Sequence, residues 1–305
     1  MLAKTFLAFH VPFFSVITPS FNQGSYIETC IRSILEQNDP GFEHLIFDNC
    51  SKDTTAEIAS RYPHITFISE SDRGQSHAVN KGLAASRGEI ICWLNSDDEY
   101  EPGAFTALRE AFSDPAVQVV FGDVRQIEYD GRGGEVAHGK FDSRLDLIRW
   151  WSSRVKLHQP SIFFRREAAV KSGAVREDLH YAMDYELWWR MSGLFDFRYI
   201  PRVLAVQHRQ PDSKTIRSWA TALAERKRIF SPYYSLIDKG NLPGLMREKR
   251  RELGRSYLLQ AYALAPTRAL DAARMLVMSF RERPCGILEM RWPGIFTRMF
   301  SRKSN

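Results

Sequence analysis

Strand-like and helix-like segments alternate along the first 125 residues of this 305-residue chain. Short runs of β-branched and aromatic residues predict strands, and the segments between them repeat their apolar residues at helical spacing. We predict strands at residues 13–18, 44–47, 65–68 and 89–94, and helices at residues 25–35, 54–62, 75–86 and 102–112. This alternation constrains the fold most strongly, because it is typical of α/β proteins with a doubly wound parallel sheet.

The pattern changes after residue 117. We predict a hairpin over residues 123–134, and we predict further strands at 117–121, 161–164, 195–199 and 203–206, with helices at 143–151 and 183–192. From residue 213 onward the chain is nearly all helical, at residues 213–230, 242–263 and 267–282. We therefore divide the chain into an α/β domain at residues 12–210 and a helical region at residues 211–305.

Charge is distributed unevenly between these two regions. Residues 201–305 contain 21 Lys and Arg but only 8 Asp and Glu, a net charge of +13, whereas residues 1–200 carry a net charge of −7. The asymmetry favours an anionic partner for the C-terminal third, either nucleic acid or an acidic membrane surface. Zinc-finger spacing and the aromatic–basic interleaving of RNA modules are both missing, which argues against nucleic acid. The alternative is a set of solvated helices with a basic face.

The cysteines and the apolar runs indicate a cytoplasmic protein. None of Cys30, Cys50, Cys92 and Cys285 belongs to a C-x-x-C motif, which argues against a zinc site or a redox motif. Scattered thiols suit a reducing compartment. Charged residues or prolines interrupt every apolar run before it reaches the ~18 residues of a membrane span.

Two adjacent carboxylates, Asp97 and Asp98, follow the fourth predicted strand. In α/β sheets, ligands bind at the carboxyl ends of the strands. Neighbouring carboxylates repel each other unless a cation lies between them, and hard oxygen ligands suit Mg²⁺ or Mn²⁺. The alternative is a loop in which an aspartate caps the next helix.

Polar residues also follow the second and third strands. Asp48 could accept an N–H from a ligand base, or it could form an Asx turn. Gly74 lies in a turn that opens a helix, and Lys81 lies two helical turns further on. A glycine turn at a helix N-terminus favours an anionic ligand, whereas the alternative is an ordinary capped surface helix.

Five stretches in this order carry a resemblance to a known family: TPSFN at 18–22, FDNCSKD at 47–53, DRGQ at 72–75, NKG at 80–82 and NSDD at 95–98. Together they resemble the family 2 glycosyltransferases of the GT-A fold, over residues 13 to about 210. Residues 71–98 are especially similar to enzymes of bacterial polysaccharide and lipopolysaccharide assembly. The resemblance implies a catalytic domain at 12–210, with a nucleotide-binding half at 12–125 and an acceptor half at 126–210.

The resemblance also implies roles for single residues. The nucleotide-sugar donor is assigned to Pro19, Ser20, Asp48, Asp72, Gly74, Asn80, Lys81, Asp97 and His158. Asp48 matches the carboxylate that reads the base, and Asp98 matches the ligand of a divalent metal, Mn²⁺ or Mg²⁺. Asn95 replaces the first Asp of the family's Asp-x-Asp motif, which weakens the implied metal dependence. His158 could contact donor phosphate or acceptor, or could be a buried structural histidine.

Asp184 matches the family's catalytic base, although Met183 replaces the Glu that often precedes it. A base in that position would deprotonate the acceptor hydroxyl as it attacks the donor sugar in one inverting displacement. No carboxylate can be singled out as the nucleophile of a retaining enzyme. The alternative for Asp184 is an N-cap before an aromatic core helix.

The resemblance implies an inverting hexosyltransferase that adds one sugar to a glycan or lipid-linked acceptor in cell-surface polysaccharide biosynthesis. Asp146 stands where the Gln-x-x-Arg-Trp motif of processive members has Gln, which favours single addition. A lipid-linked acceptor and the basic helices together predict peripheral binding to the inner face of the membrane. Two alternatives stay open, a catalytically degenerate scaffold protein and a sugar nucleotidyltransferase.

Overall fold

The computed structural model describes residues 11–128, 131–152, 155–209, 219–264 and 269–282. The chain forms two compact units: Met1–Leu147 with Arg154–Ile229, and Ile148–Ser153 with Phe230–Asn305. The boundary after Ile229 lies later than the predicted boundary at residue 210. The helix that ends the first unit is held there by hydrogen bonds of its Glu225 to residues 180–182.

The first unit contains a mixed sheet of nine strands among the described residues. The strands are β1 (Phe14–Ser20), β2 (Phe42–Asp48), β3 (Ile65–Ser69), β4 (Ile90–Trp93), β5 (Glu99–Tyr100), β6 (Val119–Glu128), β7 (Gly133–Ala137), β8 (Ile162–Arg165) and β9 (Phe197–Arg209). Their order is β3-β2-β1-β4-β8-β6-β9-β5, and β7 pairs with β6. The strands β3, β2, β1 and β4 are parallel, whereas β8 is antiparallel to β4 and to β6.

Helices cover both faces of this sheet. They are α1 (Ile27–Leu35), α2 (Thr55–Ser60), α3 (Gln75–Ala85), α4 (Ala104–Ala111), α5 (Arg144–Ile148), α6 (Arg166–Ser172), α7 (Met183–Met191) and α8 (Trp219–Phe230). A 3-10 turn at Gln159–Ser161 precedes β8. Every residue of β1 and β4 is buried, as expected for central strands covered on both faces.

The core lies between the parallel strands and the helices on each side. On one face, the ring of Phe14 stacks on that of Phe105 with centroids 4.2 Å apart. On the same face, Ile27 and Ile31 of α1 pack against Ile46 of β2. On the other face, Ala78 of α3 packs against Leu45 and Phe47 of β2. These contacts fix the strands whose carboxyl ends carry the predicted site residues.

The sequence analysis missed two elements and divided a third. The two-residue strand β5 and the seven-residue helix α6 are too short to give a periodic signal. The predicted strands at 195–199 and 203–206 form one strand, β9. The register of β9 with β6 shifts beyond Tyr199, and this irregularity absorbs Pro201. The predicted hairpin is formed by β6 and β7, while residues 129 and 130 of its turn lie outside the described residues.

The second unit contains two helices that pack against each other, α9 (Leu242–Leu264) and α10 (Ala269–Glu282). The Ser279 hydroxyl of α10 donates to the Gly254 carbonyl oxygen of α9 at 2.7 Å. Over the ranges that the structure describes, no helix has both the length and the apolar character needed to cross a bilayer.

Candidate active site

The carboxyl ends of β1, β2 and β3 bring three polar side chains into register. Ser20 pairs with Asp48, and Asp48 pairs in turn with Ser69. The Ser69 hydroxyl donates to Asp48 Oδ2 at 2.8 Å. Pro19 pairs with Phe47. Both predicted residues of β1 therefore lie beside the end of β2 that carries Asp48.

Asp48 lies in a tight turn and is only 2% exposed. Its Oδ2 accepts the Ser51 N–H at 2.9 Å, and its Oδ1 accepts the Ser51 hydroxyl. Together with the Ser69 hydroxyl, these bonds use three of the four acceptor positions of the carboxylate. The fourth, on Oδ1, suffices for one N–H of a nucleotide base. The Asx-turn interpretation and the base-reading prediction are therefore compatible, and base reading stays a prediction.

The turn before α3 is tied to the turn after β2. Asp72 Oδ1 accepts the Gly74 N–H at 2.7 Å, and the Asp72 N–H donates to Asn49 Oδ1 at 2.9 Å. Gly74 has a φ of +112°, in the left-handed region that favours glycine. Asp48, Asp72 and Gly74 therefore lie in connected turns at one edge of the sheet.

Asn80 and Lys81, in the second turn of α3, bind protein groups of other segments. Asn80 Nδ2 donates to the Val175 carbonyl oxygen at 2.8 Å, and Asn80 Oδ1 accepts the Val175 N–H at 2.8 Å. Lys81 Nζ lies 2.9 Å from Glu70 Oε1. The predicted contacts of both residues with the nucleotide sugar stay predictions, and the bonds they make here hold neighbouring segments.

Asn95 occupies a polar network at the end of β4. Its Oδ1 accepts from Gln75 Nε2 at 2.8 Å and from the Trp93 indole N–H at 3.1 Å. Its Nδ2 donates to Gln159 Oε1 at 2.9 Å. Gln159 Nε2 in turn donates to the Trp93 carbonyl oxygen at 2.6 Å. The amide of Asn95 thus uses both its acceptor and its donor, which a carboxylate at this position could not do.

Asp97 and Asp98 are at the same sheet edge, directly after this network. Burial raises the pKa of both carboxyl groups, and the adjacent charge of Asp97 raises the pKa of Asp98 further. Asp98 is 4% exposed, and its Oδ1 accepts the backbone N–H of His208 at 3.2 Å. The His208 Nε2 lies 2.5 Å from Glu99 Oε1. The sequence analysis did not single out His208, which reaches this edge because β9 pairs with β5.

This pair of carboxylates suits a hard divalent cation. The half-buried Asp97 and the buried Asp98 both have raised pKa values, and a positive charge between them would stabilise their carboxylate forms. Within the described residues, no three His, Cys, Asp or Glu side chains converge as a ready-made metal cluster.

Asp184 lies in the first turn of α7. The helix begins at Met183, and its N-cap residue is Ala182, so the structure rules out the alternative in which Asp184 is the N-cap. Asp184 Oδ1 accepts the N–H of Tyr185 at 2.8 Å. Burial raises the pKa of the Asp184 carboxyl, while the guanidinium of Arg226 acts in the opposite direction. A carboxylate with a raised pKa is a stronger base, which suits the predicted role.

The residues that surround Asp184 include two from α8 that the sequence analysis missed. The guanidinium carbon of Arg226 lies 4.4 Å from the centroid of the Tyr185 ring. Glu225 is 9% exposed and bonds to the backbone just before α7. A charged pair within a predicted surface helix gives no signal in a single sequence, because only tertiary packing brings it to α7.

His158 lies beside the Asn95 network through its neighbour Gln159. It is half-buried, and its Nε2 is buried without a hydrogen-bond partner among the described residues. Burial lowers the pKa of His158 to about 4, and the charges of Lys156 and Arg209 lower it too. The imidazole is therefore neutral at pH 7. Its predicted contact with donor or acceptor stays a prediction, with a neutral ring as the contacting group.

Solved structures with this fold are GT-A glycosyltransferases. S. aureus TarS residues 1–349 in complex with UDP align with a TM-score of 0.55 and 17% identity, over 91% of this chain and 92% of that chain. The mannosyltransferase PcManGT from Pyrobaculum calidifontis, with GDP-Man and Mn²⁺, aligns with a TM-score of 0.56 and 18% identity, over 93% and 77% of the two chains. The predicted GT-A type α/β fold with a helical C-terminal region is confirmed.

The chain belongs to Glycosyl transferase family 2, whose sequence profile matches residues 15–173, just over half of the chain. The uncharacterized protein MT1568 of Mycobacterium tuberculosis is 29% identical over 72% of this chain and 75% of its own length. The Bacillus subtilis protein TuaG, which is named a putative teichuronic acid biosynthesis glycosyltransferase, is 38% identical over 30% of this chain. The chain spans 38% of TuaG and 28% of the chondroitin synthase of Escherichia coli, which is 27% identical over 63% of this chain.

Proposed function

We propose that this chain is an inverting glycosyltransferase that moves one hexosyl group from a nucleotide-diphosphate-sugar to a hydroxyl of a glycan or lipid-linked acceptor in cell-surface polysaccharide biosynthesis. One observation carries the proposal. Asp97 and the buried Asp98 follow β4, which lies beside β1, and Ser20 at the end of β1 is in register with Asp48. At this sheet edge, Asp48 can bind the nucleotide base, and the Asp97–Asp98 pair can bind a cation.

Each residue then has a defined task. Asp48 accepts an N–H of the base, and Pro19 and Ser20 line that side of the donor. The turn at Asp72 and Gly74 lies beneath the nucleotide. Asp97 contacts the ribose or the donor sugar. The solved structures that share this fold include TarS with UDP or UDP-GlcNAc and PcManGT with GDP-Man, which supports a nucleotide-sugar donor.

Asp98 would hold a divalent cation, Mn²⁺ or Mg²⁺, and Asp97 is the adjacent carboxylate. When bound, such a cation stabilises the negative charge that develops on the leaving diphosphate. Crystals of PcManGT and of the M. tuberculosis glucosyl-3-phosphoglycerate synthase contain Mn²⁺, which supports this choice of metal. Asp184 accepts the proton of the acceptor hydroxyl, and the Arg226 charge favours the ionised form of its carboxyl.

The donor assignment is tested by thermal shift. We expect Mn²⁺ together with one of UDP, GDP, dTDP or CDP to stabilise the protein, by ~2.7 kcal/mol at 100 times the dissociation constant. Asp98→Ala should abolish the metal-dependent part, whereas Asp53→Ala should lower only the basal stability. Asp53 accepts the Gly24 N–H at 2.8 Å and the Thr55 N–H at 3.1 Å, so its loss removes bonds within the fold. Equal nucleotide affinity of wild type and Asp98→Ala would contradict the metal assignment.

The transfer assignment is tested by turnover of the nucleotide sugar that the thermal shift identifies. Asp184→Asn keeps the shape of the side chain but cannot take the proton, so we expect ~10²–10⁴-fold slower transfer with donor binding preserved. Asp196→Asn, at an exposed position, is the matched control. Donor binding by wild type without any transfer would favour the degenerate scaffold instead. Pyrophosphate exchange with a nucleoside triphosphate would favour a sugar nucleotidyltransferase.

We also propose that the second unit binds the anionic inner face of the cell membrane. On α9, Arg247, Arg250, Arg251 and Arg255 are exposed and recur at helical spacing. On α10, Leu270 is 81% exposed and Val277 is 53% exposed, and the exposed Arg274 and Arg281 flank them. Exposed apolar side chains among arginines match the chemistry of an anionic lipid surface, and each basic residue near it contributes ~1 kcal/mol.

The membrane proposal is tested by sedimentation of the full chain with phosphatidylcholine vesicles that contain increasing phosphatidylglycerol, at low and high salt. We expect binding that grows with anionic lipid and weakens with salt. The triple variant Arg247→Glu, Arg251→Glu and Arg255→Glu should lose it. The matched control reverses three exposed arginines of the first unit, Arg166, Arg198 and Arg202. Binding that ignores anionic lipid, or equal loss in both triple variants, would overturn this proposal.

A further inference from the structure

The segment of residues 173–182, which we name the connecting segment, joins α6 to α7. Its last three residues direct their backbone N–H groups at one carboxylate. The N–H groups of His180, Tyr181 and Ala182 donate to Glu225 at 2.9, 2.8 and 3.1 Å. The connecting segment is therefore fixed immediately before the helix that carries Asp184.

The Glu225 carboxylate lies just before the N-terminus of α7, and one of its three bonds goes to the N–H of the N-cap residue Ala182. Ala182 is the N-cap of α7 and has no side chain that could accept a helix N–H. A carboxylate near a helix N-terminus also interacts favourably with the helix dipole. Three charge-assisted bonds offset the cost of burying Glu225, which is 9% exposed. Removal of this carboxylate would leave three backbone N–H groups without their acceptor. The last of them, that of Ala182, lies two residues before Asp184.

Other side chains of α8 hold the same region. The Arg226 guanidinium lies over the ring of Tyr185, the residue after Asp184. Arg228 Nη2 donates to the Asp178 carbonyl oxygen at 3.2 Å. Contacts from α8 thus extend from the middle of the connecting segment to the first turn of α7.

The helix α3 holds the opposite side of the connecting segment. The Ser76 hydroxyl donates to the Leu179 carbonyl oxygen at 3.0 Å, and Asn80 makes two hydrogen bonds to Val175. Arg73, in the turn before α3, pairs with Glu177 at 2.6 Å. The connecting segment is therefore held between α8 and the helix that follows the proposed donor turn.

We propose that Glu225 is a positioning residue for transfer, which holds the connecting segment so that Asp184 meets the acceptor hydroxyl at the correct place relative to the donor turn. This inference rests on the proposed role of Asp184 as the base. A reacting group that moves by about 1 Å can lose ~10²-fold in rate. Glu225 acts on Asp184 through the backbone of residues 180–182, and its charge also raises the pKa of the Asp184 carboxyl.

The test compares Glu225→Gln with the matched control Glu167→Gln, a change at an exposed position of α6. The glutamine keeps one acceptor oxygen but replaces the other with an NH2 group, which cannot accept a backbone N–H, and it loses the charge. We expect kcat to fall 10–100-fold while the KM for the nucleotide sugar stays within about twofold. Hydrogen exchange of the amides at residues 180–182 should accelerate in Glu225→Gln and not in the control. Glu225→Asp keeps the charge with a shorter reach, so we expect an intermediate kcat in a protein of near wild-type stability.

A double variant separates this inference from the base assignment. If Glu225 acts through Asp184, then Asp184→Asn with Glu225→Gln should be no slower than Asp184→Asn alone. Additive losses, or wild-type kcat in folded Glu225→Gln and Glu225→Asp proteins, would overturn the positioning role and leave Asp184 as the base. Near wild-type turnover of Asp184→Asn alone would instead overturn the base assignment, and the positioning role with it.

Discussion

Asn95 donates its side-chain N–H to Gln159 Oε1 at 2.9 Å, and this bond joins the end of β4 to the turn before β8. The same Gln159 donates to the carbonyl oxygen of Trp93, so its amide cannot rotate without losing that bond. The position where the family has the first Asp of its Asp-x-Asp motif is therefore adapted to an amide in this chain.

We predict that Asn95→Asp destabilises the protein although it restores the family motif. A carboxylate cannot donate to Gln159 Oε1, and rotation of Gln159 would turn its oxygen toward the Trp93 carbonyl. An unpaired buried polar group costs about 1–3 kcal/mol. Urea unfolding measures the loss, with Asn241→Asp at an exposed position as the control. Unchanged stability together with tighter Mn²⁺ binding would show that Asn95 is a replaced metal ligand instead.

We predict that Arg226→Gln moves the acidic limb of the kcat–pH profile to higher pH. The base must be ionised, so the rate falls as the pH drops through the pKa of Asp184. Burial and the charge of Glu225 raise this pKa, and Arg226 lowers it. Removal of the Arg226 charge therefore raises the pKa. Arg226→Lys keeps the charge and should leave the limb near its wild-type position, and an unmoved limb in Arg226→Gln would contradict the assignment.

The difference between Asp98 and His208 illustrates what a single sequence reveals. Asp98 follows an apolar strand, and the rule that ligands bind at strand ends places it correctly from local pattern alone. His208 lies 110 residues later and reaches Asp98 only because the antiparallel pairing of β5 with β9 brings it there. That pairing was not predictable, since β5 has two residues and Pro201 divides the apolar pattern of β9.

Glu225 shows the same limit for the region around Asp184. The aromatic helix α7 was predicted from its own residues, and so was α8. The three bonds from Glu225 to residues 180–182 depend on how α8 packs, which no local pattern encodes. Elements and strand-end residues were therefore predictable, whereas the contacts between distant elements that orient them were not.

We predict that Gly82→Ala destabilises the protein although the residue lies in a helix. A Cβ at Gly82 would lie 2.2 Å from Ile17 Cγ2 of the central strand β1, so either α3 or β1 must move. Overpacking of this kind costs about 1–3 kcal/mol. Gly244→Ala in α9 is the matched control, because its Cβ would have no atom nearer than 3.9 Å and should stabilise the helix by ~0.5–1 kcal/mol. Thermal or urea unfolding should therefore give opposite signs for the two variants.

We predict that His44 makes the protein lose stability as the pH falls below about 6.5, the ordinary pKa of histidine. His44 is fully buried, its Nε2 lies 3.0 Å from Thr18 Oγ1, and burial lowers its pKa to about 3, with a further contribution from His64. The unfolded chain therefore binds a proton that the folded chain does not bind. Between about pH 6.5 and 3, this single group should lower the free energy of unfolding by ~1.4 kcal/mol per pH unit.

Urea unfolding at pH 7 and pH 5 measures how much unfolding free energy the protein loses between these two pH values. In His44→Gln this loss should be smaller, by the contribution of His44 over that interval. Equal pH dependence in wild type and His44→Gln would show that other groups are responsible.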